Sequence, residues 1–188
     1  MKPDDSKPTC PKGINHIQKI FIRILYYARS IDPTIIMALS TLSSEQCKLI
    51  MKTIKNLRQL LDYLGTNPGA TIKYYASDMI LNVHSDAPYL SARDALSRKA
   101  RKFFFRWTPQ YKHPIHLSGV IFTLCHILKF VATSAPEVEL GALFLNAKGE
   151  KTMRIILQEL INPQTLTPIH CNNATTTGIV NGTVKRQQ

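Results

Sequence analysis

Ser134-Ala135-Pro136-Glu137-Val138-Glu139-Leu140-Gly141-Ala142-Leu143 decides how the chain is read. The stretch carries the marks of a helix start: Ser134 as the cap, Pro136 in the first turn, and Glu137 three residues after Ser134, as in a capping box. Leu140, Leu143, Phe144 and Ala147 then recur at helical spacing and predict a core-facing stripe on a helix that runs to about Leu160. Glu139 stands one turn inside that helix. A carboxylate there either complements the helix dipole or forms one arm of a metal site whose other arms come from strands. For an isolated glutamate the first reading is the ordinary one. Two stretches give weight to the second: His84-Ser85-Asp86-Ala87 upstream and Ile169-His170-Cys171-Asn172-Asn173 downstream.

Around the helix the texture is that of short strands. Residues 71–75 and 79–84 are β-branched and aromatic runs separated by Ala76-Ser77-Asp78, and they predict two strands joined by a tight turn. Residues 102–107 predict a third strand and 115–124 a fourth. After Asn162-Pro163, residues 168–171 predict another short strand and residues 174–180 a helix. Upstream the pattern is helical. Ile14, Ile17, Ile20, Phe21, Ile24 and Leu25 mark one helix to about Ser30, and Asp32-Pro33 opens a shorter one over 34–42. Ile50, Ile54, Leu57, Leu61 and Leu64 mark a third, ended by Gly65-Thr66-Asn67-Pro68-Gly69. Lys48, Lys52, Lys55 and Arg58 lie along another side of it, as on a solvated amphipathic face.

These elements divide the chain into a flexible leader (1–13), a helical segment (14–69), an α/β domain (70–184) and a polar tail (185–188). A mixed sheet with the long helix packed across one face is the simplest way to bury the second pattern.

Composition bounds the function. A chain of 188 residues with 44% hydrophobic and 19% charged residues is globular, not disordered. Its net charge of +12 points to a polyanionic partner, nucleic acid before membrane surface. Cys10, Cys47, Cys125 and Cys171 form no CxxC pair and suit free thiols in a reducing compartment. The most apolar run, 119–132, is too short to span a bilayer and contains His126 and Lys129. The expectation is an intracellular protein, cytoplasmic or nuclear. His113, His116, Cys125 and His126 match no zinc spacing. Ser85 beside His84 is no hydrolase pair, because neighbours on a strand point to opposite faces.

If the strand before Asp86 and the strand before Asn172 are neighbours, both positions open on one sheet edge with Glu139 facing them. Carboxylates gathered in that way raise one another's pKa unless a cation neutralises them. Two magnesium ions roughly 4 Å apart would clamp the attacking and leaving oxygens of a phosphodiester.

At these residues the chain resembles a known family. His84-Ser85-Asp86-Ala87, Glu137-Val138-Glu139-Leu140-Gly141-Ala142-Leu143 and Cys171-Asn172-Asn173-Ala174-Thr175 look like the three acidic motifs of the ribonuclease H domain in copia-type LTR retrotransposon Pol polyproteins. Ile24-Leu25-Tyr26-Tyr27-Ala28-Arg29-Ser30-Ile31-Asp32-Pro33-Thr34 resembles the helical connection that joins the reverse transcriptase to that domain. The resemblance covers roughly residues 14 to 184. It implies a ribonuclease H-like mixed sheet, with Asp86 as first metal ligand and Glu139 as second, for Mg2+ or Mn2+. Position 172 would be the third catalytic position, where the family has aspartate and this chain has Asn172. An amide is isosteric with the carboxylate but neutral, and it is a poorer ligand for magnesium. The family's fourth acidic residue belongs to a later helix, so the domain is expected to be C-terminally truncated. At Ala100-Arg101 the family leads one to expect glycines, and larger side chains there are expected to crowd the sheet edge.

Arg98, Lys99, Arg101, Lys102 and Arg106 interleave with Phe103, Phe104, Phe105 and Trp107. Cations beside aromatics suit a nucleic-acid surface, and equally suit a strand with aromatics on its core side and charges on its wet side. Alternation puts Phe104 with Lys102 and Arg106, and Phe103 with Phe105 on the opposite face. Three readings stay open: a nuclease-derived domain acting on RNA–DNA hybrids with impaired catalysis, as part of a larger polyprotein; a non-catalytic nucleic-acid-binding module; and a decayed reading frame.

Overall fold

The computed structural model describes residues 11–46, 50–92 and 94–183. The chain divides into two compact units, Met1–Ile72 and Lys73–Gln188. The expected leader lies largely outside the described residues, and where description begins the chain is already helical, at Pro11. The expected tail, Lys48, Cys10 and Cys47 also lie outside them.

The first unit is helical. Helix α1 (Pro11–Ser30) buries Ile17, Phe21, Ile24 and Ala28 at alternating steps of four and three, the stripe of an amphipathic helix. Asp32 stops it: its carboxylate accepts from the Thr34 backbone N–H and hydroxyl and caps a 3-10 turn, Pro33–Ile35, that runs into α2 (Ile36–Ser43). Helix α3 (Met51–Thr66) buries Thr53, Leu57 and Leu60. Its buried side therefore differs from the expected leucine stripe, and Leu61 is exposed. The polar Thr53 belongs inside because its hydroxyl donates to Glu45 at 2.7 Å. Gly65 is still helical, and the helix is ended by Asn67, whose backbone and side-chain N–H groups both donate to the Tyr63 carbonyl. Lys52, Lys55 and Arg58 are exposed.

The second unit is mixed α/β. Strands β1 (Ile80–Asp86), β2 (Arg98–Arg106), β3 (Leu117–Ile127) and β4 (Ile169–Cys171) form one sheet in the order β3-β2-β1-β4. β1 is antiparallel to β2 and parallel to β4, and β2 is antiparallel to β3 with irregular pairing between Phe103 and Arg106. Helix α4 (Ala135–Glu159) connects β3 to β4, and α5 (Ala174–Val180) follows. Among the described residues no helix is long and apolar enough to cross a membrane.

The expected strand at 71–75 does not form. Tyr75 N–H donates to Ser118 Oγ and Tyr74 hydroxyl to the Val120 carbonyl, so side chains rather than a backbone ladder tie this segment to β3. The expected turn at 76–78 is not a hairpin either. Asp78 is engaged by Thr108, and Met79 has a positive φ of 52° that interrupts extended backbone. The later strands form but start or end elsewhere: β2 begins four residues before position 102, and β3 extends to Ile127.

Strand alternation sorts the sheet. Leu81, Val83, Phe103 and Phe105 pack beneath Met153 and Leu157 of α4. Phe104 points to the other face, where its ring lies 5.0 Å from that of His84. A second cluster, Ala87, Leu128, Ala132, Val138, Ala142 and Leu145, packs around the start of α4.

The expected core stripe of α4 is rotated. Leu140 and Phe144 are exposed, and the buried side carries Val138, Glu139, Ala142, Asn146, Glu150 and Leu157. Hydropathy misreads this face because half of it is polar. Asn146 Nδ2 donates to Ser85 Oγ at 2.9 Å and to the Ala100 carbonyl at 3.1 Å, tying the helix to β1 and β2. Phe144 is left outside, with Lys148 Nζ 4.5 Å from its ring centre. The cap is a capping box displaced by one residue: Ser134 accepts from Glu137 N–H, and Glu137 accepts from the Thr133 N–H and hydroxyl.

Candidate active site

Position 86 ends β1, and Ser85 pairs with Cys171 in the parallel register, so Asp86 and Asn172 follow side by side at one edge of the sheet. Asp86 and Asn172 are both exposed, whereas Glu139, in the second turn of α4, is only 5% exposed. The Glu139 carboxylate lies between the two strand ends. One oxygen accepts from the Ala87 N–H at 3.3 Å, and the other accepts from the Cys171 thiol at 3.6 Å. Each donor is the immediate chain neighbour of position 86 or 172.

Burial pushes the Glu139 carboxyl above its ordinary pKa, and the charge of Asp86 adds to the rise, against the two hydrogen bonds that favour the anion. Burial also pushes the Cys171 thiol up, opposed by the Asn173 N–H and reinforced by Glu139 and Asp86. The edge is thus a place where negative charge is gathered and poorly compensated.

Asp86, Glu139 and Asn172 supply two carboxylates and one neutral amide. That donor set suits one hard divalent ion whose remaining positions are water. It is short of the charge that two such ions need. Among the described residues no group of three or more His, Cys, Asp or Glu side chains is arranged to hold a metal.

The basic residues of β2 do not form one patch. Arg98 is buried: Nη1 donates to the Ser91 carbonyl at 2.7 Å and the backbone N–H to Ser91 Oγ, so it anchors a loop and is withdrawn from any nucleic-acid surface. Lys99 and Arg101 are half-buried, and burial lowers the pKa of each. Alternation puts both on the α4 side, where Arg101 lies 5.4 Å from the Phe103 ring centre and its Nη1 reaches the Leu145 carbonyl at 3.5 Å. Lys102 is exposed on the opposite face with Phe104, and Arg106 is half-buried there. The crowding expected at Ala100-Arg101 is relieved at Gly149, whose missing side chain leaves room for the Arg101 guanidinium.

Sequence reasoning did not single out Cys171 as a partner of Glu139. Its signal was only its place, one residue before Asn172 on a strand. It also missed the ring pair of His84 and His170, with centroids 5.2 Å apart, and the bond between His170 Nε2 and Asn82 Oδ1 at 3.0 Å.

Comparison of the chain with protein-family models, curated proteins and solved structures finds no match.

Proposed function

We propose that the second unit is a ribonuclease H-like domain of a retrotransposon Pol polyprotein, descended from a metal-dependent nuclease acting on RNA–DNA hybrids and weakened at its third acidic position. The observation that carries this reading is the bridging of the two strand ends by Glu139, through Ala87 N–H and Cys171 Sγ. It gives the resembling motifs a common meeting point. The strand order, with β1 antiparallel to β2 and parallel to β4, agrees with it.

In this reading Asp86 and Glu139 hold a divalent ion. Magnesium or manganese, when bound, supplies an activated water and compensates charge on the phosphodiester. Ala87 N–H and Cys171 S–H hold the Glu139 carboxylate in orientation. Asn172 offers an oxygen without a charge, which lowers affinity for a hard cation. A second reading, a nucleic-acid-binding module without catalysis, is favoured by that same amide and by Lys102, Phe104 and Arg106 on the face away from α4.

The test is cleavage of a labelled RNA–DNA hybrid with magnesium or manganese by the native chain, by Asn172→Asp and by Glu139→Ala. The expected result is little or no cleavage by the native chain and gain of activity in Asn172→Asp. Robust native cleavage lost in Glu139→Ala would overturn the impairment. Silence from all three folded proteins, with hybrid still bound in a salt-dependent way, would favour the binding module.

A further inference from the structure

The connection between β2 and β3 carries a cavity that the acidic edge does not use. It has a volume of about 470 Å³, and its walls include Tyr75, Trp107, Thr108, Gln110, His113 and His116. That volume falls within the roughly 300–1,000 Å³ of small-molecule sites. The cavity lies at the opposite end of β1 from Asp86. β1 starts at Ile80 opposite Arg106 and ends at Asp86 opposite Ala100, a run of about 20 Å at strand rise.

The walls are anchored. Tyr75 N–H donates to Ser118 Oγ at 3.1 Å, and Ser118 Oγ donates back to the Tyr75 carbonyl at 3.3 Å. Asp78 accepts from the Thr108 N–H at 2.6 Å and from its hydroxyl at 2.7 Å, so this neighbouring carboxylate is occupied in holding the wall. The Trp107 and His116 rings stand at 82° with centroids 6.1 Å apart, forming a corner and not a stack. One ring of such a corner keeps a π face that its partner does not cover.

The walls suit a ligand with a flat ring, and a cation on the flank favours an anionic one. No lining residue is acidic, and Gln110 and the two imidazoles offer hydrogen bonds to a ring edge. Lys112 stands beside His113 with its Nζ 5.2 Å from the Tyr111 ring centre. A proline-rich peptide also suits aromatic grooves, but it does not answer the flanking Lys112 or the net charge of +12.

We propose that this cavity takes the base of an unpaired nucleotide in a nucleic-acid strand, with its phosphate toward Lys112. The site is independent of the nuclease reading, and its test measures no cleavage. Trp107 is the chain's single tryptophan, so intrinsic fluorescence reports on the cavity directly. The full chain is titrated with adenosine monophosphate, a short oligo(dA), ribose 5-phosphate and a proline-rich peptide. Saturable quenching is expected from adenosine monophosphate, and at lower concentration from oligo(dA), but not from the other two. Tyr75→Leu is expected to weaken both roughly tenfold. If that variant loses its fold, Lys112→Asn, which tolerates the positive φ of 62° at this exposed position, is expected to weaken adenosine monophosphate but not adenosine. No quenching, equal quenching by ribose 5-phosphate, quenching by the peptide alone, or unchanged affinity in the folded variants would overturn the proposal. Quenching by adenosine monophosphate without oligo(dA) would overturn the strand as its source.

Discussion

The Arg101 guanidinium occupies the space where a side chain at Gly149 would begin. Glycine in the middle of a 25-residue helix normally costs about 1 kcal/mol relative to alanine. Here it admits a cation from β2 under the helix. A double-mutant cycle tests the coupling. Gly149→Ala alone is expected to be close to neutral, because the helix gain is offset by displacing Arg101. In an Arg101→Ala background the same change is expected to stabilise by about 1 kcal/mol. Urea unfolding reads both, and equal effects in the two backgrounds would show that the pair is not coupled.

Asn146 is the polar bolt between α4 and the sheet. Asn146→Ala leaves Ser85 Oγ and the Ala100 carbonyl without this donor in a buried place. The expected loss is about 2 kcal/mol in chemical denaturation. A loss below a few tenths of a kcal/mol would mean that water or a neighbour replaces the amide.

The end of α4 holds a removable strain. Asn162 N–H donates to the Leu157 carbonyl and Ile161 N–H to Gln158, the pairing of a Schellman cap, with Ile161 at the position that favours glycine. Ile161 has φ 61° and is 92% exposed, so its side chain adds crowding without packing. Ile161→Gly is expected to raise stability by about 1 kcal/mol. An unchanged or lower midpoint would refute this account of the cap.

Glu139 makes stability depend on pH with a definite sign. Its carboxyl is raised above the ordinary glutamate value, so the folded state holds this proton more tightly than the unfolded chain does. The contribution is intact below the unfolded pKa and is lost as pH rises through the folded one. Glu139→Gln removes that slope. The variant is expected to match the native chain at low pH and to exceed it progressively above the ordinary glutamate range. Denaturation midpoints across a pH series check this, and a gap that opened toward acid would reverse the assignment.

Asn172→Asp is expected to trade intrinsic stability for metal dependence. Without divalent ions a third carboxylate joins Asp86 and Glu139, and the melting temperature should fall. Magnesium at a hundredfold excess over its Kd would restore about 2.7 kcal/mol, and a chelator should reverse the gain. The native chain should respond much less. Equal magnesium responses in the two proteins would remove position 172 from the site.

Much of this molecule was legible as pattern. The end of α1 and the extents of α4 and α5 follow from pattern, with punctuation by Pro33 and Ser134, because caps and turn residues act through local backbone bonds. Helix α1 already includes residues 11–13, which the sequence reads as leader. The alternation of Phe103, Phe104 and Phe105 follows from strand geometry alone. Tertiary structure decided the rest. Which face of α4 is buried depended on Asn146 and Glu139 finding partners on β1, β2 and β4, and hydropathy assigns such residues to solvent. Arg98 left the surface because Ser91 offered its carbonyl, seven residues away, and Gly149 acquired its purpose from Arg101 on another element. Sequence supplied Asp86, Glu139 and Asn172 as candidates. Only the parallel pairing of β1 with β4 brought their strand ends to one carboxylate, because long-range pairing is a property of the whole sheet and no local segment encodes it.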